Sequence, residues 1–67
     1  MQIFVNGKAM QLATEAMSVQ ALVEHMQLTG KRIAIERNGD IVPRSQFADV
    51  QLQADDRLEI VGAVGGG

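Results

Sequence analysis

The spacing of apolar residues changes along the chain, and each change marks an element. Gln2-Ile3-Phe4-Val5 is a β-branched and aromatic run that predicts a strand. It ends at Asn6-Gly7, the dipeptide that best supplies the two positive φ angles of a tight hairpin turn. Lys8-Ala9-Met10-Gln11-Leu12 then alternates polar with apolar and predicts the returning strand. After a loop over Ala13 to Met17, Ser18 stands where a helix N-cap belongs, its hydroxyl free to accept from an orphan backbone N–H. Val19, Leu22, Val23 and Met26 follow at i, i+3, i+4 and i+7, one stripe of an α-helix, with Gln20, Glu24 and Gln27 facing away. Gly30 reads as the left-handed stop, which makes the helix about ten residues long.

Ile33-Ala34-Ile35-Glu36-Arg37 is a third strand, closed by a second Asn-Gly pair at Asn38-Gly39, and Asp40-Ile41-Val42 runs back as a short fourth. Pro43 cannot donate to a sheet ladder, so pairing stops there. Arg44 to Asp49 reads as an irregular or single-turn segment anchored by Phe47, and Asp55-Asp56 marks another turn. Arg57-Leu58-Glu59-Ile60-Val61 alternates as a last strand and leads into Gly62-Ala63-Val64-Gly65-Gly66-Gly67. The order strand, strand, helix, strand, strand, strand predicts an α+β fold, one helix packed on a mixed four- to five-stranded sheet. With the first and last strands adjacent at the sheet centre, that is a β-grasp. The domain is expected over residues 1–64, with a flexible glycine-rich tail at 65–67.

Composition narrows what such a domain does. A chain of 67 residues buries only about 60% of the surface its unfolded form exposes and has little room to enclose a pocket of roughly 300–1,000 Å³, which argues against a free-standing enzyme. There is no cysteine, so disulfides, thiolate metal sites and thiol nucleophiles on the chain are excluded. Six Lys and Arg against eight Asp and Glu, with no Trp or Tyr, give neither a basic field for phosphates nor a stacking platform, so nucleic acid is not expected. No apolar run approaches the roughly 20 residues of a membrane helix, and the cytoplasm is the expected compartment. The single histidine, His25, has no second His or Cys to join it on a metal and reads as a surface or boundary residue. Glu15, Asp55 and Asp56 lie in turns and loops, where carboxylates serve turn formation and solvation. Met1, Met10, Met17 and Met26 read as gap-fillers of a small core.

The C-terminus is where chemistry is expected, a functionless flexible end being the alternative. Gly65-Gly66-Gly67 closely follows the last strand, and glycine has no side chain, so such a tail threads a channel too narrow for other residues. From Gly62 to Gly67 an extended chain reaches at most about 20 Å, enough to carry the terminal carboxylate into another protein's active site. That carboxylate, with a pKa near 3.5, is an anion at neutral pH and a poor electrophile. It needs activation, most simply by attack on the α-phosphate of ATP to give an acyl-adenylate and pyrophosphate. A sulfur or nitrogen nucleophile can then take the acyl group; if sulfur enters, the product is a thiocarboxylate. On the sheet face away from the helix, Phe4 and Val61 are expected to point outward from neighbouring central strands as an exposed apolar pair, which reads either as ordinary surface or as a docking patch.

The chain resembles the bacterial sulfur carrier ThiS family of thiamine biosynthesis, within the ubiquitin-like β-grasp proteins. The resemblance runs over the whole length and rests on the opening Met1-Gln2-Ile3-Phe4-Val5-Asn6-Gly7, on Asn38-Gly39-Asp40-Ile41-Val42-Pro43-Arg44, and on the terminal Gly66-Gly67. It implies a protein co-substrate rather than an enzyme, with no bound cofactor. A ThiF-type adenylating enzyme would activate the carboxylate of Gly67 with ATP and Mg²⁺, sulfur-transfer proteins would supply sulfur, and thiazole synthase would receive it. Gly67 would carry the sulfur, Gly66 would permit close approach and Gly65 would add reach. The rival readings are the sister carrier of molybdopterin synthesis, a ubiquitin-like modifier joined to lysines, and a plain β-grasp interaction module.

Overall fold

The computed structural model of the protein describes residues 1–62. Its elements are β1 (Gln2–Val5), β2 (Lys8–Gln11), α1 (Val19–His25), β3 (Ile33–Arg37), β4 (Asp40–Val42), a single 3₁₀ turn (Arg44–Gln46) and β5 (Arg57–Gly62). They form one five-stranded sheet in the order β2-β1-β5-β3-β4, with the last strand at its centre. β5 runs parallel to β1 and antiparallel to β3. This is the mixed sheet and single helix expected of a β-grasp.

Both Asn-Gly pairs adopt the geometry that selects them. Asn6 and Gly7 have φ of 52° and 83°, and Asn38 and Gly39 have φ of 53° and 92°, the two left-handed residues of a hairpin turn whose twist matches that of its strands. Ser18 caps α1 with its hydroxyl accepting from the Ala21 N–H at 3.0 Å. Helix residues Val19, Leu22 and Val23 are buried against the inward-facing residues Ile3, Val5, Ile35, Val42, Leu58 and Ile60. Phe47 and Leu52 close one end of this core, and all four methionines lie partly buried against it.

The helix is shorter than its periodicity predicts. It spans seven residues, and Gln27, at φ 60°, supplies the left-handed residue that ends it, not Gly30. The Leu28 N–H reaches back to the Val23 carbonyl at 2.9 Å and the Gln27 N–H to that of Glu24 at 3.0 Å, the paired bonds of a Schellman motif. Leu28 then packs against the core. Gly30, at φ 83°, belongs to a separate turn closed by the Lys31 N–H on the Leu28 carbonyl. Burial of Leu28 therefore overrides the preference for glycine at the helix end.

Candidate functional site

The strand that leads to the glycine tail is the most firmly held element of the sheet. Besides its ladders with β1 and β3, β5 is gripped by the side chains of both turn asparagines. Asn6 Nδ2 donates to the Ile60 carbonyl at 3.0 Å while its Oδ1 accepts from the Ile60 N–H at 2.7 Å. Asn38 Oδ1 accepts from the Arg57 N–H at 2.9 Å. Each amide thus replaces a neighbouring backbone where the ladder would otherwise stop, leaving fewer buried strand groups unpaired.

Asp56 completes the anchorage and corrects the expectation that it serves solvation. Its side chain is buried and accepts from Arg37 Nε at 2.7 Å, Asn38 Nδ2 at 3.0 Å and the Gln53 N–H at 2.8 Å. Burial pushes its carboxyl up, but the Gln53 N–H, the Asn38 amide and the Arg37 guanidinium outweigh it and hold the pKa below the ordinary carboxylate value. Sequence periodicity assigns Asp56 to a turn without saying which way its side chain points. The partner Arg37, on another strand nineteen residues away, is the signal that topology alone reveals. The neighbouring Asp55 is exposed, with φ of 68°, and His25 and Glu15 are exposed as expected.

The outer face, away from α1, is defined by the alternation of β5: Leu58 and Ile60 are buried, whereas Arg57, Glu59 and Val61 are exposed. Phe4 points to this face but is half-buried, and the Arg57 guanidinium lies over its ring at 5.0 Å. Phe4 aligns with Arg57, and Val61 with Ala34. Phe4 and Val61 therefore share the face without touching, four residues apart along β5, or about 13 Å. The large apolar residue that accompanies Val61 is Ile41 on β4. Val61 is 56% and Ile41 64% exposed, and the two flank a small hollow of about 110 Å³ with Ala34, Glu36 and Glu59. Ile41 is legible in the sequence as the middle residue of a three-residue strand, but its face depends on a register that periodicity over so few residues does not determine.

A second groove, about 330 Å³, lies beside the end of β5 and is lined by Met26, Leu28, Ile33, Val61 and Gly62 with Lys31 and Arg32. Among the described residues there is no group of three or more His, Asp or Glu side chains placed to hold a metal, and no helix long and apolar enough to cross a membrane. Gly65, Gly66 and Gly67, and the expected boundary between residues 64 and 65, lie outside the described residues.

Comparison with known proteins agrees with this architecture. The family model described as ThiS family matches residues 3–67. The sulfur carrier protein ThiS of Bacillus subtilis is 35% identical over 63 residues, 94% of this chain and 96% of that protein. A thiazole synthase of Paramagnetospirillum magneticum is 37% identical over all 67 residues, but the chain spans only 20% of its length. Among solved structures, the thiamine biosynthesis protein (ThiS) of Geobacter metallireducens superposes with a TM-score of 0.88 at 26% identity, each chain covered in full.

Proposed function

This chain belongs to the ThiS family, and we infer that it serves thiamine biosynthesis as a sulfur carrier whose Gly67 carboxylate is the group loaded. It is a co-substrate of other enzymes and not itself a catalyst. The observation that carries this reading is a family match running through the glycine tail to Gly67, joined to a tail-bearing strand clamped at the sheet centre.

The chemistry follows from what a terminal carboxylate lacks. One carboxylate oxygen of Gly67 attacks the α-phosphate of ATP, Mg²⁺ offsetting the phosphate charge, and pyrophosphate leaves. The acyl-adenylate is now an electrophile, and a sulfur nucleophile from a donor protein displaces AMP. Where that nucleophile is a donor persulfide, the product is an acyl disulfide; a second thiol attacks its donor-side sulfur, the sulfur–sulfur bond breaks, a new disulfide forms with the donor, and the thiocarboxylate is left on Gly67. ATP and Mg²⁺ belong to a ThiF-type adenylating partner. Thiazole synthase is the acceptor this reading names, supported by the match of this whole chain to part of a protein bearing that name. Gly66 and Gly65 supply a path with no Cβ through the partner's channel. Phe4 and Val61 contribute to docking as separate contacts at the two ends of the outer face of β5 rather than as one pair. The cytoplasm, where ATP is available, is the compartment this chemistry calls for.

Incubation with ATP, Mg²⁺, a ThiF-type enzyme and a sulfur donor, followed by intact-mass measurement, tests the reading. Exchange of one terminal oxygen for sulfur is the expected result. An unchanged mass with an enzyme active on its own carrier refutes it.

A further inference from the structure

The groove of about 330 Å³ at the end of β5 pairs an apolar floor with a cationic rim. Met26, Leu28 and Ile33 line it and are only half-buried. Lys31 and Arg32 stand beside them, exposed and without an ion-pair partner among the described residues. Backbone bonds hold the loop that carries these cations in place. The Lys31 N–H donates to the Leu28 carbonyl at 3.0 Å, and the Lys31 carbonyl accepts from Arg44 Nη2 at 3.2 Å. The sheet register brings the end of β5 to the same spot. Ile33 aligns with Gly62, so β5 ends level with Arg32, the residue before Ile33, and Gly62 itself lines the groove. Five residues follow, Ala63-Val64-Gly65-Gly66-Gly67, of which Val64 alone has a large apolar side chain and none has a charged one.

We propose that this groove is a resting site for the chain's own tail, with Val64 seated against Met26, Leu28 and Ile33 and the Gly67 carboxylate on the Lys31 and Arg32 side chains. The inference rests on the carrier reading for a free carboxylate at Gly67. Length permits it: five residues reach at most about 18 Å when extended, more than the return to neighbouring cations needs, and the three glycines reverse direction without a Cβ to obstruct them. Charge complementarity selects the same occupant, since one anion ends a segment whose own apolar residue matches the floor. Tethering decides it, because a segment attached at Gly62 meets the groove at an effective concentration on the order of millimolar, so contacts too weak to hold a free peptide suffice. A thiocarboxylate is an anion like the carboxylate it replaces, so the site takes the carrier empty or loaded. Capture by a partner then begins with release of the tail, and the apparent affinity falls in proportion to the fraction at rest. Removal of Gly67 only moves the carboxylate to Gly66, still within reach of both cations.

The test is nuclear magnetic resonance on the isotope-labelled full chain, without any partner. It compares the unmodified protein with V64S, with K31Q/R32Q, and with K8Q as a control that removes a cation from β2. Nuclear Overhauser cross-peaks are expected from the Val64 methyls to the Met26 and Leu28 methyls. The heteronuclear Overhauser values of the Gly65 and Gly66 amides should fall by about half in V64S and in K31Q/R32Q, stay unchanged in K8Q, and fall in the parent when salt is raised to about 0.5 M. Thermal melts by circular dichroism should place every variant within a few degrees of the parent, which excludes misfolding as the cause. Absence of the cross-peaks, with tail values alike in all four proteins, overturns the proposal and leaves the groove to another protein. Cross-peaks that connect labelled to unlabelled chains in a mixed sample make a second copy the occupant and overturn it as well. Sulfur loading, read by intact mass, separates the two readings. Cross-peaks without loading defeat the carrier reading and leave the resting site standing, whereas loading without cross-peaks defeats the resting site alone.

Discussion

Replacing Asp56 by asparagine perturbs the point where the turn before β5 is tied to the end of β3. The substitution keeps the shape but removes the charge and turns one acceptor into a donor facing donors. Three contacts, at 2.7, 2.8 and 3.0 Å, are affected. Hydrogen bonds to a charged group contribute about 1.5–3 kcal/mol each and do not add. Breaking a fully buried ion pair costs about 3–5 kcal/mol. The Arg37 side chain is 28% exposed, so water recovers part of that loss, and the expected cost is about 2–3 kcal/mol. A domain of this size has only a few kcal/mol in total. With a urea slope of about 1 kcal/mol per molar, the midpoint falls by about 2–3 M and Asp56→Asn sits at the edge of folding. Far-UV circular dichroism is the readout, since the chain has neither Trp nor Tyr. The pH dependence fixes the cause. The folded-state pKa of Asp56 is lowered, so its stabilisation is fully present above the unfolded value near 3.9 and is lost as pH falls through the folded value. The gap between parent and Asp56→Asn should therefore be constant near neutrality and close below about pH 4. A midpoint shift under about 0.5 M at neutral pH, or a gap that persists undiminished in acid, refutes the reasoning.

Other substitutions follow from local geometry. Gln27→Gly should raise stability by about 0.5–1 kcal/mol, because the left-handed conformation at the helix end penalises any side chain; a melting temperature at or below the parent's counts against it. Gly30→Ala should lower stability by about 1 kcal/mol through its φ of 83° alone, since an added Cβ there meets no atom within 4 Å. Asn6→Ala removes both side-chain bonds to Ile60 and should cost about 1–3 kcal/mol, read from urea midpoints. Removal of Gly67 should leave the thermal melt unchanged while preventing the gain of sulfur by mass; continued loading would move the site away from Gly67.

Much of this molecule is legible in local pattern because its elements are short and their signals adjacent. Both hairpin turns and the Ser18 cap come from side chains acting within a few residues of themselves. The helix ends earlier than local pattern predicts because Gly30 carries the stronger local preference, whereas Gln27 is selected by the burial of Leu28, a tertiary effect. Asp56 and the asparagine clamps are long-range features: Asn6 reaches Ile60 across 54 residues, and no spacing rule connects them. On the outer face, alternation correctly turned Phe4 and Val61 to the same side. It gave no offset between strands, and only the register reveals that Ile41, not Phe4, stands near Val61.

The two asparagines that hold β5 also make the chain age. A glycine after asparagine leaves its backbone nitrogen unhindered to attack the side-chain carbonyl, so ammonia departs and hydrolysis of the resulting imide leaves aspartate or isoaspartate. At residue 38 the new carboxylate would face Asp56 Oδ1 at the 3.0 Å now spanned by an amide donor, and at residue 6 an oxygen would face the Ile60 carbonyl. Stored protein should accumulate acidic charge variants on ion exchange that melt at lower temperature, even with every tail glycine intact. Shelf life is then set by covalent decay at the hairpin tips, and identical melting of fresh and acidic fractions would show the clamps to be dispensable.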